Sequence, residues 1–157
     1  MAMTYKKILY CTDFSEDADY ALKSALDLSE KYQARLYCLH VVHSAYQIMP
    51  DLSPMEKNKE AEKTLSAEDL EKGKVKLKEL YEPKLAGLTG GYEFQVVCGV
   101  PFMEIVRYAR ANEVDFIVLG AAGSSNIKRI TFGSTAENVA RRAHCTVMIT
   151  RDPEKVF

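Results

Sequence analysis

Three glycines and two hydroxyls carry the spacing in this chain that most plainly suggests chemistry. Gly120 is followed after two residues by Gly123 and after nine more by Gly133, with Ser134 and Thr135 directly behind it. The run before them, Phe116-Ile117-Val118-Leu119, reads as a buried strand, and the pattern after them, Thr135 to Ala143, reads as a short helix. The connection between the two, about a dozen residues, is long for a compact domain, and such loops are usually functional. Glycines let a backbone come close to a bulky anion and adopt positive φ. A helix opening adds unpaired N–H donors and a partial positive charge. Ser134 and Thr135 contribute hydroxyls, and Lys128 and Arg129 put cationic charge on the same loop. The chemistry these types would perform together is the cradling of a phosphate. Taken alone, the spacing leaves a second reading open: Gly123-Ser124-Ser125-Asn126 as turn chemistry and Ser134 as a helix cap.

Other chemistries find little support. No G-x-x-x-x-G-K-[ST] segment is present, and no G-x-G-x-x-G turn follows the first strand-like run. His40, His43 and His144 do not have a metal-ligand spacing, so no metal site is expected. No nucleophile–base pair is visible. The cysteines, Cys11, Cys38, Cys98 and Cys145, are scattered without a C-x-x-C pair and read as small buried hydrophobes with reduced thiols. Lys plus Arg (21) nearly balances Asp plus Glu (22), which leaves no global field to draw in nucleic acid or an anionic membrane. No stretch reaches the roughly 18 apolar residues of a membrane span. The expectation is a cytoplasmic protein.

The elements that must position the loop alternate short apolar runs with amphipathic stretches, which predicts βαβ units, a parallel sheet and one domain over residues 1–157. Strands are expected at residues 7–12, 35–42, 91–99, 115–120 and 146–150. Ser15 reads as an N-cap, and Ala18, Ala21, Leu22, Ala25 and Leu28 line one face of the helix behind it. Pro101 suits the first turn of a helix carrying Phe102, Ile105, Val106 and Ala109 on one face. The exception to the alternation is residues 44–90. A mobile loop is expected through about residue 60, then a charged helix ending before Gly87, with Leu70, Leu77, Leu80, Tyr81 and Leu85 as its apolar stripe.

Gly120-Ala121-Ala122-Gly123, nine residues and Gly133-Ser134 resemble the G-x2-G-x9-G-[S/T] nucleotide-binding signature of the universal stress protein family. Further landmarks resemble the same family in the same order. They are Ile8 to Ser15 with its Asp-x-Ser turn, Leu39-His40-Val41-Val42, Gly99-Val100-Pro101 with Glu104-Ile105, and Ala143 to Val147. The resemblance implies a flavodoxin-like, Rossmann-like three-layer α/β sandwich whose five-stranded parallel sheet has the order 3-2-1-4-5. That order reverses between strands 1 and 4, so a crevice should open at their carboxyl ends. Asp13 leaves strand 1 and Gly120 leaves strand 4, flanking it.

Carried over residue by residue, the resemblance implies that Asp13 contacts the adenine–ribose half of a nucleotide, with Thr12 beside it. Val41 would meet the base and Gly120 the ribose. Gly123, Gly133, Ser134 and Thr135 would surround the phosphates, with Lys128 as the cation of the loop. Asp13 as a turn residue at a helix start and Val41 as ordinary core are the alternative readings. The ligand implied is ATP, or ADP or AMP, with or without Mg²⁺. Three positions depart from the family's habit: Ala121-Ala122 where a serine and a basic residue are frequent, Thr146 where proline is common, and Cys11 before Thr12.

The resemblance further implies a homodimer through the last strand, residues 146–150, and a role as a nucleotide-binding sensor or regulator in a stress response. A nucleotide-free dimerisation or adaptor protein is the rival reading. Binding is expected rather than turnover, although slow hydrolysis or autophosphorylation at Ser124, Ser125 or Ser134 stays open.

Overall fold

The computed structural model describes residues 3–43, 59–122 and 133–154, the side chains of 59–66 excepted. Along the chain run β1 (Lys7–Thr12), α1 (Glu16–Tyr32), β2 (Arg35–His43), α2 (Lys59–Leu85) and β3 (Tyr92–Gly99). They are followed by α3 (Pro101–Ala111), β4 (Phe116–Gly120), α4 (Ser134–Arg142) and β5 (Thr146–Thr150). All neighbouring strands pair in parallel, in the order β3-β2-β1-β4-β5. The fold class and strand order expected from the sequence are therefore those of the structure.

Apolar runs without alternation become strands buried on both faces, because each face must be covered by helices. The period of two then sorts their side chains. Ile8, Tyr10, Leu36, Cys38, Phe116 and Val118 pack on one side with residues of α1 and α2. Leu9, Cys11, Tyr37, Leu39, Ile117 and Leu119 pack on the other with residues of α3 and α4. Three layers result.

The local signals account for the helix ends. Ser15 caps α1, its hydroxyl accepting from Ala18 N, and Gln33 closes the helix in the left-handed region at φ 52°. Pro101 occupies the first turn of α3, where a missing N–H costs nothing. Five boundaries move by one residue: β2 ends at His43, β3 starts at Tyr92, β4 starts at Phe116, and α4 runs from Ser134 to Arg142 rather than from Thr135 to Ala143. Gly91 is excluded from β3 by its φ of 79°, which belongs to the turn before it.

The stripe expected on α2 is partly corrected. Leu77, Tyr81 and Leu85 are fully buried and Leu70 is packed at the edge of the core, but Leu80 is 45% exposed. The buried residues follow an i, i+4 row, and Leu80 is turned about 100° from Tyr81 around the helix axis. The same row begins at Gly73. A Cβ there would lie 3.1 Å from Val96 Cγ1 and 3.4 Å from His40 Cδ2, so the missing side chain lets α2 lie close on β2 and β3. Of the loop expected through about residue 60, residues 44–58 lie outside the described residues, and residues 59 and 60 already belong to α2.

All four cysteines are free thiols; Cys11 and Cys38 are buried, and Cys98 and Cys145 are half-buried. Among the described residues no helix is long and apolar enough to cross a membrane.

Candidate functional site

Where β1 and β4 end side by side, helices α1 and α4 leave toward opposite faces of the sheet. A cavity of about 570 Å³ opens there. Its floor is Cys11, Leu39, Val41 and Leu119, from the sheet face that carries α3 and α4. Asp13 and Ser15 border it from the β1–α1 turn, and Gly120, Ala121 and Ala122 from the end of β4. Gly133, Ser134 and Thr135 close it at the start of α4. Thr12, Asp13, Val41, Gly120, Gly133, Ser134 and Thr135 thus meet around one cavity, although they are far apart in sequence. Gly123 and Lys128, the other two expected site residues, lie outside the described residues.

The β1–α1 turn is tightly determined. Thr12 Oγ1 accepts from Phe14 N at 3.0 Å, and Asp13 Oδ1 accepts from Ser15 N at 3.0 Å. Phe14 lies at φ 64°, a left-handed conformation that costs a non-glycine residue roughly 1 kcal/mol. His40 Nδ1 lies 2.8 Å from the Thr12 carbonyl oxygen. A carbonyl only accepts, so this nitrogen carries the imidazole proton. Burial lowers the His40 pKa, against the opposing pull of the Thr12 hydrogen bond and of Asp13. Burial likewise pushes the Cys11 thiol well above its ordinary range, which makes the cavity floor chemically quiet.

Val41 stands beyond the last pairing of β1 with β2, Thr12 with His40, while β2 continues against β3 to His43. Arg35 N donates to Lys6 O on the β1 side and Leu36 N to Gly91 O on the β3 side. Backbone groups alternate along a parallel strand, so the Val41 carbonyl faces the β1 side. The amide that would continue that ladder, Phe14 N, goes instead to Thr12 Oγ1. A polar main-chain edge is thereby presented beside an apolar floor.

The long loop is anchored at both ends. Ala121 N donates to Thr150 O at 2.8 Å, and Gly133 N donates to Ala121 O at 2.7 Å. Gly133 is the N-cap of α4, and among the described residues no side chain caps that helix. The alternative reading of Ser134 as a cap is therefore set aside, since Ser134 is already the first helical residue. The glycine at 120 has a packing role. A Cβ there would fall 2.7 Å from the Asp17 carbonyl carbon and 3.0 Å from Ala18 N, so its absence admits the first turn of α1.

Sequence reasoning missed two groups. Asp17, buried in the first turn of α1, accepts from Ala122 N at 3.2 Å and ties that turn to the end of β4. Val100, Pro101, Phe102 and Ile105 also line the cavity, as does Asn138 of α4. The Val-Pro junction was visible as a helix start. Its place at the site follows from topology: β3 sits at one sheet edge, and α3 must cross back over β2 and β1 to reach β4.

The universal stress protein family model matches residues 4–151. The chain belongs to the universal stress protein family. It is 34% identical over 152 residues to universal stress protein MJ0531 of Methanocaldococcus jannaschii, covering 96% of this chain and 85% of that protein. With universal stress protein MJ0577 of the same organism it shares 30% identity, covering 96% of this chain and 98% of the relative. The solved structure of MJ0577 superposes with a TM-score of 0.80 over 96% of this chain and 98% of that one. UspA from Lactobacillus plantarum gives a TM-score of 0.80 at 25% identity, over 96% of this chain and all (100%) of that chain. Two more distant structures share the fold: a universal stress protein in complex with cAMP (22% identity, TM-score 0.64) and one from Archaeoglobus fulgidus in complex with dAMP (20%, 0.58).

Proposed function

We propose that this universal stress protein binds an adenine nucleotide, ATP or its ADP and AMP relatives, in the cavity between the ends of β1 and β4. The observation that carries the reading is the convergence of an apolar floor with the uncapped N-terminus of α4 at the point where the strand order reverses. The cavity volume, about 570 Å³, lies in the range of small-molecule sites. Leu39, Val41, Phe102 and Ile105 suit a flat base, the Asp13 carboxylate suits ribose hydroxyls, and the backbone of Gly133 and Ser134 suits phosphate oxygens. That two proteins of this fold form complexes with cAMP and dAMP supports the adenine class. A triphosphate would bring Mg²⁺ with its own oxygens. Among the described residues the cavity offers groups for binding and orientation, and the function we read from it is that of a nucleotide-responsive regulator of a stress response in the cytoplasm.

The regulator acts as a homodimer through β5. Among the described residues this strand is at the sheet edge, with β4 as its one neighbour, and it presents Val147, Met148 and Ile149 half-buried in the single chain. An apolar edge is a template for a second copy. A nucleotide-free adaptor is the second reading. It is favoured by Ala121-Ala122, of which Ala121 is buried and engaged through both its amide and its carbonyl.

Isothermal titration with ATP·Mg²⁺ decides between them. Saturable heat at micromolar to millimolar nucleotide is expected; no heat at millimolar nucleotide would leave the adaptor reading. Sedimentation should give twice the 17.7 kDa chain mass, and a monomer at micromolar concentration would contradict dimerisation.

A further inference from the structure

Tyr81 takes no part in lining the cavity, yet its hydroxyl stands where the last residue of β1, the first turns of α1 and the helix α2 meet. It is 1% exposed. Tyr81 Oη lies 2.9 Å from Asp19 Oδ1 and 2.8 Å from Thr12 Oγ1, and Thr12 Oγ1 lies 3.0 Å from Phe14 N. Each hydroxyl has one proton, which settles the direction of the chain. Tyr81 donates to the Asp19 carboxylate, so it must accept from Thr12. The Thr12 oxygen then turns its lone pair to the Phe14 amide. The ring of Phe14, whose backbone is held in the left-handed region, lies parallel to that of Tyr81 (7° between planes, 6.2 Å between centroids). On its other contacts are the His40 ring at 4.4 Å and the Lys76 ammonium at 4.2 Å.

We propose that Tyr81 is a positioning residue of the nucleotide site, holding the Thr12–Ser15 turn, and with it Asp13, in the conformation that faces the cavity. The proposal rests on the reading of that cavity as a nucleotide site. The turn contains an unfavourable φ at Phe14, and such conformations persist only where surrounding contacts over-determine them. Here those contacts come from α2 and β2, behind the site. Without the Tyr81 hydroxyl, Thr12 loses its acceptor and is free to rotate, and the Phe14 amide loses an oriented partner. The ring, which fills the core, would be unaffected. The helix that stood apart in the sequence as a charged, solvated segment thereby sets the geometry of the ligand turn.

The test is a double-mutant cycle in ATP·Mg²⁺ affinity with Tyr81→Phe and Asp13→Asn, run well below the unfolding temperature. Tyr81→Phe should bind about three- to tenfold more weakly, the effect of one buried hydrogen bond. In the Asp13→Asn background it should change affinity by less than about twofold, because coupled residues are non-additive. Wild-type affinity in Tyr81→Phe, or an equal loss in both backgrounds, would overturn the assignment. Amide exchange of the nucleotide-free protein supplies a second readout: Phe14 N–H should exchange faster in Tyr81→Phe while the Leu22 and Ala25 amides of α1 stay protected. Unchanged exchange at Phe14, or a loss of protection throughout α1, also counts against it. A wild-type protein that takes no nucleotide would sink the site reading and this role together, whereas a binding wild type with a normally binding Tyr81→Phe sinks the role alone.

Discussion

Replacing Gly120 by alanine adds one methyl group, and the structure says where it must go. The new Cβ would sit 2.7 Å from the carbonyl carbon of Asp17, 2.9 Å from its oxygen and 3.0 Å from Ala18 N. Carbon atoms in good contact lie about 3.5–4.0 Å apart, so the overlap is close to 1 Å. The atoms in the way are backbone, and that backbone is tied down. Tyr10 Oη donates to Ala18 O at 2.7 Å, Ser15 Oγ accepts from Ala18 N, and Asp17 holds Ala122 N. Overpacking of this kind costs about 1–3 kcal/mol, and a rigid backbone neighbour argues for the upper half of that range. For a chain of this length each kcal/mol moves Tm by about 2–4 °C, so Gly120→Ala should melt about 4–12 °C lower. Gly87→Ala is the control: nothing lies within 4 Å of its Cβ position, and its stability should stay within about 0.5 kcal/mol of wild type. Thermal unfolding by circular dichroism, with urea titrations to check that the m-value is unchanged, measures both. A Gly120→Ala protein melting within about 1 °C of wild type would refute the packing role of this glycine.

Two further outcomes follow from burial and charge. Leu77→Ala removes a fully buried side chain and should cost about 2–5 kcal/mol in urea denaturation, whereas Leu80→Ala should cost less than about 1 kcal/mol; equal losses would contradict the narrow seam of α2. His40 has its pKa lowered by burial, so the folded chain takes up its proton at a lower pH than the unfolded chain, whose value is about 6.5. Its contribution to stability is complete above that value and is lost as pH falls through the folded pKa. Thermal unfolding between pH 7.5 and 5.5 should therefore show a smaller drop in Tm for His40→Gln than for wild type. Identical slopes would remove His40 from the account.

Much of the fold could be read from residues in order. Apolar runs such as Phe116-Ile117-Val118-Leu119 are legible as buried strands because both faces must be covered, and Ser15 and Pro101 mark helix starts by local chemistry that needs no distant partner. The glycines framing the long loop were visible as well, and their likeness to a family pattern pointed to the cavity. Less legible was the reason for each. Gly120 reads in sequence as a residue that lets a ligand approach, and in the fold its bare Cα admits a helix. Leu80 has the spacing of a core residue and is exposed, because the fully buried side chains described on α2 follow the row of Leu77, Tyr81 and Leu85, from which Leu80 is turned away.

What the sequence determined by itself was local: the period of two or 3.6, the caps, the breakers, and the order of βα units with a glycine-framed loop after the fourth strand. Tertiary structure decided which of these meet. Asp17 reaches Ala122 across 105 positions of chain, Tyr81 reaches Thr12 across 69, and α3 is carried over the cavity because β3 lies at the far edge of the sheet. Such contacts depend on the strand order and on the close approach allowed at Gly73 and Gly120, neither of which a local pattern encodes. Thr12, Asp13, Val41, Gly120, Gly133, Ser134 and Thr135 were named from the sequence, whereas Val100, Phe102, Ile105 and Asn138 came to the cavity only through the packing of α3 and α4.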